Sequence, residues 1–192
     1  MTIILDDICK SFDDTLVLNK LNVSIDDGKS YAFVGPSGSG KSTAIKIFMG
    51  LETPDSGEVA RMGDYKYPTL KSAYVSQEGQ LNMKKSAIWN VKKVHRWATK
   101  GRAIEELSRF IPKEKMEIPV SELSDVDRRL VELVRAFFVP ADFIVLDEPF
   151  RGMNEELKQQ VISYIFTIQG NRPLLIAQQE ENGLEFAKKI RL

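Results

Sequence analysis

The chain has one cysteine, Cys9, and one histidine, His95, in 192 residues. A single thiol excludes an internal disulfide and any multi-thiolate zinc site, and fits a reducing compartment. A single imidazole excludes a histidine-rich metal centre. No apolar run approaches the roughly 20 residues needed to span a bilayer. The N-terminal stretch MTIILDDICKSFDD carries acids where a secretory signal needs a basic start. The chain is therefore expected to be soluble and to reach a membrane only through a partner. It also lacks surplus charge, with 27 Lys+Arg against 27 Asp+Glu. That balance gives no overall push towards nucleic acid or anionic lipid. Internal repeats and low-complexity segments are absent.

What remains is an ordinary globular mixture, 43% hydrophobic and 28% charged, long enough for one domain with a substantial core. TIIL and LNVSI (21–25) read as short strands, the second closed by the turn DDGK. SYAFV (30–34) is a compact apolar run, expected of a strand buried on both faces. A helix is predicted over 42–51, ending at Gly50 with Pro54 soon after. Strands are predicted after the turn TPDSG, at 72–76, within 142–149 and at 173–177. The segment 154–169 reads as an amphipathic helix, and a short helix is expected after the last strand. Residues 84–118 change character: helical, rich in Lys and Arg, and holding both tryptophans. Alternating strands and helices imply an α/β fold with a mostly parallel core sheet.

The SYAFV run leads directly into GPSGSGKST, residues 35–43. Gly35, Pro36, Ser37, Gly38, Ser39, Gly40, Lys41 and Ser42 match G-x-x-x-x-G-K-[ST] in full, with Thr43 next. Glycines let the backbone curl so that successive N–H groups point inward at phosphate oxygens. The helix that follows presents its positive end to the same anion. Lys41 is placed to reach the terminal phosphates, and Ser42 to offer a hydroxyl to Mg²⁺. In DFIVLDEP, Asp147 and Glu148 stand at the tip of an apolar strand, where parallel sheets place their ligands. Asp147 suits the Mg²⁺ site, and Glu148 is next in line to polarise an attacking water.

Taken together, these residues resemble the ATP-binding subunits of ABC transporters over nearly the whole chain. The resemblance implies a P-loop NTPase fold in a single domain spanning 1–192. Its core would be about 1–82 and 136–192, with an N-terminal antiparallel β subdomain and a small helical insertion at about 83–135. It implies ATP and Mg²⁺ as cofactors, and hydrolysis that drives a membrane-embedded partner. Phe12 stands where the family has an aromatic that stacks on adenine. Gln77, in SAYVSQE, stands at the glutamine that contacts Mg²⁺ and relays to the transmembrane subunit. Glu148 takes the catalytic glutamate position. The implied partners are a second ATP-binding subunit, identical or different, and a permease. No nucleic acid is expected, and the implied location is cytoplasmic, peripheral on the inner face of the cell membrane.

Three stretches depart from the family pattern. The signature loop L-S-G-G-Q reads Leu123-Ser124-Asp125-Val126-Asp127 here. Ser124 keeps its place beside the nucleotide of the opposite subunit, while two carboxylates there would repel a triphosphate unless Arg128 or Arg129 compensates. Gln179 falls in the switch-histidine position; an amide can donate a hydrogen bond to the γ-phosphate but cannot carry a proton as imidazole does. The D-loop reads Arg151-Gly152-Met153-Asn154. These departures keep open a catalytically impaired regulatory subunit of an asymmetric dimer, alongside a soluble ABC ATPase unconnected with transport. The run from Lys84 to Trp97 reads either as a nucleic-acid patch or, in preference, as a solvated helix face with core tryptophans. His95 reads as an exposed helical residue. The resemblance adds a docking surface for the transmembrane partner at Ile88, Trp89 and Val91.

Overall fold

The computed structural model describes residues 2–62 and 70–192. Two sheets form its frame. Strands β1 (Thr2–Phe12), β2 (Thr15–Asp26) and β4 (Ser56–Met62) make an antiparallel sheet in the order β2-β1-β4. Strands β3 (Ser30–Val34), β5 (Ser72–Val75), β6 (Phe143–Asp147), β7 (Leu174–Gln178) and β8 (Lys188–Arg191) make a parallel sheet in the order β5-β6-β7-β3-β8.

The first two strands run well beyond the short segments their alternation suggests. Asp6, Asp7 and Asn22 interrupt the apolar pattern but are absorbed by bulges rather than ending the strands. Asp7, at φ 46°, donates its N–H to Asn22 Oδ1 at 3.0 Å and accepts from Asn22 Nδ2 at 2.8 Å.

The parallel sheet is covered on both faces, so β6 and β7 are buried throughout. Alternate residues serve opposite layers. Tyr31, Phe33, Val145 and Leu175 pack with helix α1 (Lys41–Met49) and with Ile3, Leu5 and Ile25 of the antiparallel sheet. Ala32, Val34, Ile144, Leu146 and Ile176 pack instead with helices α2 (Ala87–Lys92), α3 (Lys100–Leu107), α4 (Lys113–Met116), α5 (Asp125–Phe137) and α6 (Glu155–Gln169).

The segment after β7 forms turns and then β8, not a short helix. The open edge of β3 takes β8 in parallel, Phe33 opposite Ile190, while Glu181 pairs with Lys189 and Arg191. Nor are the tryptophans core residues: Trp89 is 37% exposed and Trp97 is 70% exposed. Small and aliphatic residues, Ala87, Ile88, Val91, Ala103 and Leu107, fill that interior instead. Ile88 and Val91 are thus unavailable as a docking surface, which leaves Trp89. His95 is half-buried and lies beyond the end of α2.

Candidate nucleotide-binding site

Strand order builds the site. β7 lies between β6 and β3, with Asp147 opposite Ala177 and Val34 opposite Gln178. The tips of β3 and β6 therefore end level, on either side of β7. The glycine loop leaves from one and the acidic pair from the other. Ser42, in the first turn of α1, closes the gap: its Oγ donates to Asp147 Oδ2 at 2.9 Å, across 105 residues of sequence.

The loop itself is tightly wound. Gly40 precedes α1 at φ 92°, and no side chain caps the helix. The first N–H groups of α1 are thus left for an external acceptor. A Cβ at Gly40 would stand 2.8 Å from Leu18 Cδ2 and 2.9 Å from the Val17 carbonyl, so only glycine fits against β2. Gly38, at φ 83°, has nothing within 4 Å of its Cβ position, and the loop is open on that side. Lys41 is buried, and its Nζ donates to the carbonyls of Gly35 and Pro36, both at 2.7 Å. Ser39 Oγ is 3.5 Å from the same ammonium. Pro36 and Ser37 are exposed at the mouth, and Thr43 lies half-buried in the helix behind.

Asp147 is 2% exposed. Burial raises its pKa above the usual carboxylate range; the Ser42 hydroxyl, Lys41 and Arg129 pull it back in part. Glu148 is half-buried at φ 49°, a left-handed conformation that a non-glycine residue adopts at a cost. Its N–H donates to the Ala177 carbonyl at 2.9 Å, which fixes the turn out of β6. Burial is also the main cause of its raised pKa, opposed by Lys41 and reinforced by Asp147.

Hydroxyl, carboxylate and amide oxygens are the donors that Mg²⁺ prefers, and Ser42 and Asp147 already touch. Lys41, Arg129 and Lys46 offset only part of the cost of burying the Asp147 carboxylate. Among the described residues no group of three His, Cys, Asp or Glu is assembled. Ser42 and Asp147 would therefore suit Mg²⁺ held together with phosphate and water rather than in an all-protein cage.

Gln77 is exposed at the end of the segment after β5. Its backbone is held by Arg129, whose guanidinium donates to the Ser76 carbonyl at 2.6 Å and the Gln77 carbonyl at 3.1 Å. Glu132 binds Arg129 at 3.0 Å and accepts the Gln80 N–H at 2.9 Å. Gln179 is exposed just beyond β7, whereas its neighbour Gln178 is buried with Oε1 lacking a hydrogen-bond partner.

Ser124 caps α5, its hydroxyl accepting from Asp127 N at 3.1 Å. The carboxylates of the altered loop are both partnered. Asp125 pairs with Arg128, and Asp127 binds Lys115 Nζ at 2.7 Å. Arg128 thus compensates one charge as expected; Arg129 turns inward instead, and Lys115 takes the second. Phe12, 45% exposed, ends β1 beside the hairpin turn, and its partner across the ladder is Thr15, two residues before Val17 and the glycine loop. Sequence reasoning missed Lys10, Lys115 and Glu132, whose partners lie on other elements and leave no trace in local spacing.

Comparison with known proteins bears on the family and the fold. A sulfate/thiosulfate import ATP-binding protein from Synechocystis sp. is 28% identical over 99% of this chain and 57% of its own length. A zinc import ATP-binding protein from Vibrio parahaemolyticus is 32% identical over 78% of the chain and 56% of its own length. The chain spans little more than half of these two relatives. An aliphatic sulfonates import ATP-binding protein from Rhodococcus jostii is 31% identical over 93% of the chain and 74% of its own length. Among solved structures, a putative ABC transporter ATP-binding protein from Pyrococcus furiosus superposes with a TM-score of 0.86 at 24% identity, covering 100% of this chain and 98% of that one. A dimeric ATP-binding cassette bound to ADP and Pi superposes at 0.83 with 22% identity, over 99% and 94% of the two chains. These likenesses show the P-loop α/β fold. The family model described as ABC transporter matches residues 18–151, and the chain belongs to the ABC transporter family.

Proposed function

We propose that the chain binds ATP with Mg²⁺ and hydrolyses it, and that it powers a membrane-embedded permease. The Ser42–Asp147 hydrogen bond carries this reading, because it joins the phosphate cradle to the acidic strand tip. ATP supplies the phosphoryl group, and Mg²⁺ the charge neutralisation for its transfer. The roles proposed for this chain's residues are those that the family resemblance and their positions support. Lys41 exchanges its loop carbonyls for phosphate oxygens. Backbone N–H groups from Gly38 to Thr43 bind the remaining oxygens. Phe12 stacks on adenine. Glu148 orients and polarises water, and its raised pKa suits a base that takes up a proton. Gln77 senses the metal, and Gln179 donates its amide to the γ-phosphate.

The cassettes of similar fold include a dimer bound to ADP and Pi, which supports a second ATP-binding subunit facing Ser124. The named relatives are ATP-binding proteins of sulfate/thiosulfate, zinc and aliphatic sulfonate import, so likeness does not choose a substrate. Among the described residues no helix is long and apolar enough to cross a membrane. A permease would therefore supply both specificity and attachment at the inner face of the cell membrane, through the helical segment at about 83–135.

The test is steady-state phosphate release together with ATP-dependent dimerisation by light scattering, for wild type and Glu148→Gln. Turnover in wild type, with the variant trapped as an ATP-bound dimer, is the expected outcome. ATP binding with neither turnover nor dimerisation would instead favour the regulatory reading that the altered signature loop and Gln179 support.

A further inference from the structure

Phe12 is a 45% exposed ring at a hairpin tip, with Asp13 at φ 51° after it. A ring so placed is free to change rotamer unless something fixes it. Lys10 lies two residues back on the same side of β1. Its Nζ is 5.3 Å from the centre of the Phe12 ring, within the range of cation–π attraction.

The ammonium is itself immobilised. It is bound by the Thr53 carbonyl at 2.9 Å, Asp55 Oδ1 at 3.0 Å and Glu52 Oε1 at 3.1 Å, and its side chain is only 13% exposed. Three oxygens match its three N–H donors. The hydrogen bond to Asp55 is the chief reason that its pKa is raised, so it stays charged. The other oxygen of Asp55 accepts the Ser11 N–H at 2.6 Å, and the Asp55 N–H donates to the Cys9 carbonyl at 2.9 Å. Residues 52–55 lie in the connection from the end of α1, capped at Gly50, to β4, and the opposite end of α1 carries the glycine loop. Ring and phosphate cradle thus share one frame, with Lys10 as the joint.

We propose that Lys10 is a positioning residue that holds the Phe12 ring for purine stacking and sets the site's affinity for the base separately from its affinity for the phosphates. This rests on the reading of Phe12 as the adenine platform. The cation occupies one side of the ring and draws on its π density. The other side is left for an electron-rich purine.

Titration calorimetry with ATP and with inorganic tripolyphosphate, both with Mg²⁺, tests the proposal on wild type, Lys10→Met, Lys10→Arg, Asp55→Asn and Phe12→Ala. Circular dichroism melting checks each fold. Lys10→Met is expected to raise the Kd for ATP about three- to tenfold and leave tripolyphosphate unchanged. Lys10→Arg should restore most of the loss. Asp55→Asn, which keeps the cation but loosens its anchor, should show a smaller effect of the same kind and stands in if Lys10→Met does not fold. Equal weakening of both ligands, or of neither, overturns the proposal. If Phe12→Ala weakens ATP and neither anchor variant does, positioning by Lys10 is wrong and the platform stands. If Phe12→Ala leaves ATP affinity intact, the platform reading itself falls.

Discussion

The Arg129–Glu132 pair offers the sharpest quantitative test of how the helical segment is tied to the site. The two residues are one turn apart on α5, with side chains 9% and 11% exposed. Together they bind the Ser76 and Gln77 carbonyls and the Gln80 N–H. Removing one member of a buried pair leaves the other charge uncompensated, at a cost of about 3–5 kcal/mol. Glu132→Ala also strips the Gln80 N–H of its acceptor. For a chain of this size, each kcal/mol lowers Tm by about 2–4 °C, so a fall of roughly 6–20 °C is expected. The double variant Arg129→Met/Glu132→Leu removes both charges and should be far milder, within about 2 kcal/mol of wild type. Burial raises the pKa of Glu132 despite Arg129 beside it, so desolvation outweighs what the pair returns. Thermal and urea denaturation of Arg129→Met, Glu132→Leu and the double variant closes the cycle and gives the coupling energy. The reasoning is refuted if Glu132→Ala is no less stable than the double variant.

Two further outcomes follow from the loop and the strand tip. Gly40→Ala forces a side chain onto φ 92° and into Leu18 and the Val17 carbonyl; it should cost about 2 kcal/mol and abolish ATP binding measured by calorimetry, while Gly38→Ala, which bears the backbone strain of φ 83° but meets no neighbour, should lose less. Asp147→Asn should raise Tm at neutral pH and remove the Mg²⁺-dependent part of ATP affinity. The sign follows from burial: a folded pKa above the unfolded one means that the native state holds the extra proton, so the ionised carboxylate costs stability above that window. The gain should therefore shrink as pH falls through the raised pKa towards about 4, and a Tm unchanged at neutral pH would count against it.

Legibility in the sequence followed the range of the interaction. The glycine loop was readable because strand, loop and helix are contiguous, and the geometry of a phosphate cradle is written into nine residues. Asp147 and Glu148 were readable because a parallel sheet puts strand tips beside its ligands, although their contact with Ser42 spans the chain. The tryptophans misled, because residue type says how much surface would be buried and not whether aliphatic neighbours already fill the interior. The C-terminal stretch misled because a few apolar residues near Phe186 and Ile190 suit helix or strand alike, and the unpaired edge of β3 decided between them.

The altered signature loop carries the most consequential difference. Read along the chain, Asp125 and Asp127 are two like charges facing a triphosphate. In the fold, Lys115 from α4 and Arg128 from the next turn of the same helix each take one. Both acids also lie in the first turn of α5, where the helix dipole favours them. The substitution therefore adds little net repulsion at the mouth of that helix. What it removes is the close backbone approach that two glycines allow. Any defect in completing a partner's site should then come from steric distance at Asp125 and Val126 and respond weakly to ionic strength, because the charges that salt would screen are already paired.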